Sequence, residues 1–348
     1  MENSAVFSLT GEGNRNGRPN GPKPGSREAS DRGARKHLEG DMDAARSEYL
    51  SALELDPDNP TAHNNLGFLL AQEGKLEEAI AHYEHALKIE PQKSMALANM
   101  GIARVAQGND EEGVEWLRKA VEADPNNLLA WDNLARLLLK NQRLTEAEAA
   151  ARTALEISPH DGRFYLVLGL AVAAQQRLSE AVEVLRRAVQ LEPDSAQGWE
   201  HLGVVLFLRR DLGSAADALR RALALAPANA SARHHLSNVL LATGDQQGAQ
   251  KELESILAFE PANVSAQLDL AVLSLSRGQW EAALNRLDVV LHSDADNPRA
   301  LFYRAIVLEQ VDRKTEADQI LHDLAGANLG KYSERAQQYL QEKSARPS

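Results

Sequence analysis

Hydrophobic residues recur along this chain at helical spacing. In LEEAIAHYEHALKI, residues 76–89, apolar side chains fall at positions 76, 79, 80, 83, 86, 87 and 89. Apolar residues three and four positions apart lie on one face of a helix. The pattern therefore predicts amphipathic helices, each with one face turned toward a core.

The same pattern returns at a fixed interval. LSEAVEVLRRAVQLEP, residues 178–193, reads almost like LEEAIAHYEHALKIEP, residues 76–91, which begins 102 residues earlier, three times 34. Each 34-residue block predicts a helix, a turn and a second helix. One such hairpin cannot bury its apolar face, but stacked neighbours can, so the period predicts an all-α solenoid. The nine gapless blocks are 26–59, 60–93, 94–127, 128–161, 162–195, 196–229, 230–263, 264–297 and 298–331.

Small residues and prolines hold fixed places in the blocks. The eighth and twentieth positions are Gly, Ala or Ser throughout, which lets two helices approach closely. Proline stands at the thirty-second position of the first seven blocks, where it stops one helix and directs the next. A glycine at the fifteenth position of five blocks predicts a left-handed cap after the first helix, at Gly40, Gly74, Gly108, Gly244 and Gly278.

These columns resemble those of the tetratricopeptide repeat family, over about 306 of the 348 residues. Blocks two to six match best. The ends depart from the pattern, with Arg32, Arg35 and Lys36 in the first block and Arg304 in the ninth. The resemblance implies a right-handed α-solenoid superhelix in which the first helix of each repeat lines a concave groove. We expect 332–344 to form a capping helix within a C-terminal segment, 332–348.

Composition limits the possible chemistry and partners. The net charge of −12 repels phosphate backbones, so nucleic-acid binding is disfavoured. The lack of cysteine excludes disulfides and thiolate metal sites. No apolar run approaches the ~20 residues that span a bilayer, and no secretory signal is evident, so we expect no membrane insertion and a cytoplasmic location.

The N-terminal residues differ in composition from the repeats. Residues 1–25 are rich in Gly, Asn, Pro and Ser, and they predict a disordered tail. The stretch GEGNRNG at 11–17 resembles a phosphate loop only superficially, because it lacks the dinucleotide spacing and the flanking strand and helix.

The resemblance places positions 2, 5, 6, 9, 12 and 13 of each block in the groove. Positions 9 and 12 carry an apolar stripe, and position 6 is Asn in three consecutive blocks. An Asn amide both donates and accepts, so a ladder of them can hold an extended peptide backbone. The alternative is that superhelical packing covers the stripe. The predicted partner-binding residues are Asn65, Phe68, Asn99, Ile102, Asn133, Leu170, Val204 and Phe207.

Two further sets of polar residues have ordinary explanations. His201, His234, His235 and Asp269 could suggest a metal or pH-sensitive site, but repeats lie about 10 Å apart. We therefore interpret them as polar groove residues and predict no metal and no cofactor. A basic row on the second helices has acidic residues Glu115, Glu183 and Asp217 four positions before three of its members, which predicts a neutralised, solvated face. The row comprises Arg118, Lys119, Arg152, Arg186, Arg187, Arg220 and Arg221.

No catalytic motif is present. The chain has no HExxH, no nucleophile elbow and no Walker loop. We therefore predict a non-catalytic scaffold or adaptor that binds a partner peptide or helix in the groove, with a homo-oligomer possible. The alternative is an accessory subunit of a glycosyltransferase, secretion or envelope-biogenesis complex whose catalytic chain is separate.

Overall fold

A computed structural model describes residues 21–344. The regular structure of these residues is entirely α-helical, and it divides into two compact units, one ending at Leu191 and one beginning at Glu192. The predicted all-α fold of helix-turn-helix hairpins is thus confirmed. Most of the predicted tail, with GEGNRNG, lies outside the described residues.

Unit 1 contains ten helices that pair in sequence, and each hairpin packs on the next. The first helix begins at Pro24, two residues before the expected start of the first block, because Pro is well suited to a first helical turn. Arg32 and Arg35, which depart from the repeat pattern, are exposed there. The helices are α1 Pro24–Leu38, α2 Met42–Leu55, α3 Pro60–Gln72, α4 Leu76–Ile89, α5 Ser94–Ala106, α6 Asp110–Ala123, α7 Leu128–Lys140, α8 Leu144–Ile157, α9 Gly162–Ala174 and α10 Leu178–Leu191.

Unit 2 continues the same alternation and ends in an unpaired helix. In that last helix Ala336 is buried, and Tyr339 and Leu340 pack on the same core cluster. Lys343 binds both Glu309 and Asp318, which fastens the helix to the last hairpin. The helices are α11 Ala196–Leu208, α12 Leu212–Leu225, α13 Ala230–Ala242, α14 Gln246–Phe259, α15 Val264–Ser276, α16 Trp280–Ser293, α17 Pro298–Gln310, α18 Lys314–Gly326 and α19 Lys331–Ser344.

The turn inside each hairpin uses a left-handed residue in all nine cases. Five are the glycines expected from the sequence, but the other four are Gln142, Gln176, Arg210 and Asp312, with φ between 59° and 69°. Side chains other than Gly or Asn seldom adopt this conformation, which costs about 1–2 kcal/mol. The hairpin geometry therefore imposes the left-handed residue even where the sequence does not favour it.

Small residues bring the two helices of a hairpin together. A Cβ added to Gly67 would lie 2.7 Å from the Tyr83 ring and 3.0 Å from the Ala79 carbonyl oxygen. Tyr49 and Tyr83 are buried at the equivalent positions of the first two hairpins. A core built in this way is repeated from hairpin to hairpin, as each predicted block requires.

Within unit 1, successive first helices contact one another: α1 with α3, α3 with α5, α5 with α7, and α7 with α9. Successive second helices do not approach to the same extent. The first helices therefore lie on the inner, concave side of unit 1. In residues 21–344 every helix is too short or too polar to cross a membrane.

Candidate functional site: the first-helix groove

We define the groove of unit 1 as the surface formed by α3, α5, α7 and α9. Six of the eight predicted residues lie on these helices, and Val204 and Phe207 lie on α11 in unit 2. Asn65 and Asn99 are buried, at 7% and 4% exposure, and the other six predicted residues are partly buried.

The asparagines of the groove bind to one another more than the sequence suggested. Asn64 donates to the Oδ1 of Asn65 at 3.1 Å and accepts from the Nδ2 of Asn99 at 3.0 Å. Asn133 donates through its Nδ2 to the carbonyl oxygen of Leu129 at 2.8 Å. Among the described residues, the Nδ2 of Asn65 and the Oδ1 atoms of Asn99 and Asn133 are left without a hydrogen-bond partner. The ladder therefore retains one donor and two acceptors.

A pocket of about 200 Å³ opens between α5 and α7. It brings together two of the predicted residues, Ile102 and Asn133. Leu170 lies on α9 and does not line this pocket. The remaining lining residues are Val105, Leu117, Arg136, Leu137 and Lys140.

The basic residues of the pocket rim are held by carboxylates of the same unit. Arg136 Nε donates to Asp132 at 2.9 Å, one turn earlier on α7. Lys140 lies 2.8 Å from Asp110 at the start of α6. The pocket thus combines apolar walls with a polar edge. Such an arrangement suits an apolar side chain that is attached to a polar backbone.

Phe68 lies at the other end of the groove, where its ring centroid is 5.5 Å from that of His37. The His37 Nε2 is 2.8 Å from the Oε1 of Gln72. Burial lowers the pKa of His37, and the hydrogen bond to Gln72 acts in the opposite direction. This end of the groove is therefore a packed aromatic contact, unlike the open pocket at Ile102.

A second histidine cluster lies outside the groove. His63 Nε2 is 2.9 Å from the Pro57 carbonyl oxygen, which can only accept, so Nε2 carries the proton. Its Nδ1 then accepts from the Nδ1 of His82 at 2.9 Å. The His85 ring stacks on His63 with centroids 5.1 Å apart. Burial, followed by the two neighbouring histidines, lowers the pKa of His82 to about 4.

In unit 2 the predicted polar residues pair across helices. His234 Nε2 lies 2.6 Å from Asp269, which also accepts from Arg299. Burial alone would raise the pKa of the Asp269 carboxyl, but these hydrogen bonds outweigh it and the pKa is lowered. His235 lies 4.0 Å from Glu200. Over residues 21–344, no group of three or more His, Cys, Asp or Glu side chains is arranged to hold a metal ion.

The basic row is paired differently from the prediction. The expected partners Glu115, Glu183 and Asp217 do not bind the basic residues four positions later. Instead Glu183 and Asp217 pair with Arg186 and Arg220, three positions later. Others reach the next repeat: Arg118 binds Glu146, and Arg152 binds Glu180. A long arginine side chain thus reaches a carboxylate on the second helix of the following hairpin, which the pattern within one helix did not predict.

Family models match most of this chain. The model described as the C-terminal domain of cilia and flagella-associated protein 70, a tetratricopeptide repeat model, matches residues 9–238. A tetratricopeptide repeat model matches residues 240–305. The chain belongs to the tetratricopeptide repeat family. Proteins of this family generally serve as non-catalytic scaffolds for protein interactions. A search of curated proteins gives no match.

Solved structures agree on the tetratricopeptide repeat fold. The anaphase-promoting complex hetero-tetramer Cut9–Hcn1 aligns with a TM-score of 0.58 at 19% identity, over 82% of this chain and 57% of that chain. PilF of Pseudomonas aeruginosa aligns with a TM-score of 0.53 at 20% identity, over 64% and 96%. A tetratricopeptide repeat protein of Parabacteroides merdae gives 0.53 at 17%, over 68% and 93%. At these identities the likeness concerns the solenoid fold alone.

Two signals in the sequence could have located the pocket. Arg136 occupies position 9 of its block, where most repeats have an apolar residue. Gly113 occupies position 20, where the other eight repeats have Ala. Both irregularities fall in neighbouring repeats, at the place where the structure opens the pocket.

Proposed function

We propose that this tetratricopeptide repeat protein is a non-catalytic scaffold that binds an extended segment of a partner protein in the groove of unit 1. The pocket between α5 and α7 carries this proposal. It places an apolar wall, Ile102, beside an unpaired side-chain acceptor, the Oδ1 of Asn133. A peptide presents the same two features together, namely a side chain and a backbone amide.

The asparagines would hold the peptide backbone. The Nδ2 of Asn65 would donate to a peptide carbonyl, and the Oδ1 atoms of Asn99 and Asn133 would accept from peptide N–H groups. Such bonds read no side chain, so they favour extended segments of many sequences. Selectivity must then come from partner side chains that enter the apolar parts of the groove.

The apolar contacts would extend along the groove on both sides of the pocket. Phe68 on α3 and Leu170 on α9 would flank it within unit 1. In unit 2, Val204 and Phe207 would form a separate contact, next to Leu208, which is 54% exposed. The exposed parts of these side chains, together with Leu208, would supply the area that a partner buries.

Affinity capture with the purified full chain tests this function. Wild type should retain a partner that the Phe68/Ile102/Phe207→Ser variant loses while remaining folded. The matched control is Phe259→Ser, because Phe259 is 64% exposed but lies at the end of a second helix, α14. The captured partner should then bind wild type directly, with the site mapped by cross-linking to α5 and α7. Equal retention by the groove variant and wild type would refute the groove as the binding site.

A further inference from the structure

The pocket at Ile102 exists because two glycines face each other across one hairpin. A Cβ on Gly101 of α5 would lie 3.0 Å from the Gly113 carbonyl oxygen, and one on Gly113 of α6 would lie 3.1 Å from the Gly101 carbonyl oxygen. The same Cβ on Gly113 would meet Val105 Cγ2 at 2.3 Å and Leu137 Cδ2 at 3.3 Å. Without it, both side chains settle against α6. Space is thereby left on the groove side, and of the nine hairpins only this one has glycine at both close-approach positions.

The size and walls of the pocket point to one aliphatic side chain as its occupant. Its volume of about 200 Å³ lies below the roughly 300–1,000 Å³ of pockets that hold small-molecule ligands. The walls are the aliphatic side chains of Ile102, Val105, Leu117 and Leu137. An aliphatic side chain that enters the pocket would contact these four side chains, with Asn133, Arg136 and Lys140 at the polar edge.

The rim offers positive charge to whatever lies beside that side chain. Arg136 and Lys140 have 41% and 63% of their side-chain surface exposed, whereas their partners Asp132 and Asp110 have 16% and 22%. The cations thus stand outward of the carboxylates that hold them. Surface ion pairs contribute only about 0–1 kcal/mol, so a carboxylate on a ligand can share or replace these partners.

We propose that the pocket selects partner segments in which one aliphatic residue lies within three residues of one or two carboxylates. This rests on the groove function proposed above. Asn133, Arg136 and Lys140 follow one another on α7 over about 10 Å, at 1.5 Å per residue. An extended peptide covers that length in about three residues. A peptide N–H bonded to Asn133 and a peptide carboxylate bound at Lys140 would therefore be about three residues apart. This spacing sets the distance between the aliphatic residue and the carboxylate.

A display library of random 12-residue peptides, presented to the purified full chain, tests the selection. Enriched peptides should carry Leu, Ile, Val or Met within three residues of Asp or Glu. Synthetic copies should lose about tenfold in affinity when the aliphatic residue becomes Ala, which corresponds to burying most of one such side chain. Binding should also weaken as salt rises, since it depends on exposed charge.

Variants of the chain separate the charge from the cavity. Lys140→Glu changes an exposed side chain, so folding is preserved, and it should weaken acidic peptides by about fivefold to tenfold. Peptides selected from the library on the Lys140→Glu variant should carry basic residues, in place of acidic ones, next to the aliphatic residue. The matched control is Arg187→Glu on α10, an exposed arginine outside the groove, which should leave affinity unchanged. Gly113→Ala, which restores the methyl group present in the other repeats, should weaken the binding of peptides that insert an aliphatic side chain.

The outcomes distinguish the selection of acidic segments from the groove-binding function on which it rests. Peptides that bind, lose affinity with Ile102→Ser and show no acidic preference would overturn the inference and leave the groove function standing. Enriched peptides that ignore both Ile102→Ser and Lys140→Glu would overturn both. A preference for acidic peptides that Arg187→Glu removes as strongly as Lys140→Glu would also overturn it, because the attraction would then be nonspecific.

Discussion

The indole Nε1 of Trp131 donates a 2.8 Å hydrogen bond to the carbonyl oxygen of Pro125, six residues earlier. Pro125 lies in the turn that joins one repeat to the next, and Trp131 lies in the first turn of α7. The same bond is made in five other repeats, by Trp again in one and by four other types of side chain. The pairs are His63 with Pro57, Tyr165 with Pro159, Trp199 with Pro193, Arg233 with Pro227 and Gln267 with Pro261.

Removal of this bond should destabilise unit 1. Trp131→Phe keeps an aromatic ring but removes the donor, and we expect a loss of about 0.5–1.5 kcal/mol in the free energy of unfolding. Trp131→His copies the arrangement at His63 and should recover part of that loss. Urea unfolding followed by circular dichroism measures both. If Trp131→Phe unfolds at the same urea concentration as wild type, the bond contributes nothing.

Glycine at the four unusual hairpin turns should stabilise the protein. Gln142, Gln176 and Arg210 adopt φ of 59°, 64° and 69°, a conformation that glycine reaches without steric cost. We expect each change to Gly to raise stability by up to about 1 kcal/mol, since glycine loses more chain entropy but avoids the strain. Gly74→Ala, at φ 78°, should do the opposite. Thermal melting of the single variants decides, and a lower melting temperature for Gln142→Gly would contradict the argument.

The close approach of α5 and α6 should not tolerate a methyl group on Gly101. Gly101→Ala would place its Cβ 2.9 Å from Leu117 Cγ and 3.0 Å from a backbone oxygen, so we expect a loss of about 1–3 kcal/mol. Gly213 offers the control, because it is helical and a Cβ there would have no atom within 4 Å. Gly213→Ala should be neutral or stabilising by about 0.5–1 kcal/mol. Thermal melts of the two variants should move in opposite directions.

Acid should weaken unit 1 through the His63–His82 pair. The pKa of His82 is about 4 in the folded chain, below the ordinary 6.5. Between these values the unfolded chain binds the proton and the folded chain does not, so the free energy of unfolding falls as pH drops from about 6.5 to 4. Each unit of pKa corresponds to about 1.4 kcal/mol. Asp58, His63 and His85 are the charged or titratable neighbours of this cluster.

The pH dependence can be assigned to this cluster by substitution. His82→Gln removes the titrating group and should flatten the fall in stability between pH 6.5 and 4. His160→Gln, an exposed histidine of the same unit, should keep the wild-type slope. Urea unfolding at a series of pH values provides the measurement. An unchanged slope in His82→Gln would show that carboxylates elsewhere cause the whole effect.

Much of the fold follows from the sequence because it repeats nine times. A packing constraint explains the small residues at positions 8 and 20, and a turn explains the proline at position 32. One repeat alone would leave these assignments ambiguous, but their agreement between repeats removes the ambiguity. The hairpin turns at Gln142 and Arg210 were less predictable. Their left-handed conformation is imposed by the two helices they join, not by their own preference.

The candidate site was predictable only in part, for a related reason. Apolar residues at groove positions predicted Ile102, but not the space beside it, because a cavity depends on what is missing from the second layer of residues. Gly113 lies behind the groove, so its effect acts through Val105 and Leu137. The bond between Asn64 and Asn99 also escaped prediction, since it joins side chains 35 residues apart.

The bonds from the first helices to the preceding prolines also bear on how the chain responds to force. The third and ninth repeats lack them, because Leu97 and Leu301 stand where six other repeats have a donor, and Ala295 precedes the ninth repeat in place of the proline. When the ends of the chain are pulled apart, each bonded turn resists the tilt of its helix, and α5 and α17 have no such restraint. Extension should therefore begin at these two places. The first of them, α5, forms one wall of the pocket, so we expect tension to displace that wall before the array unravels.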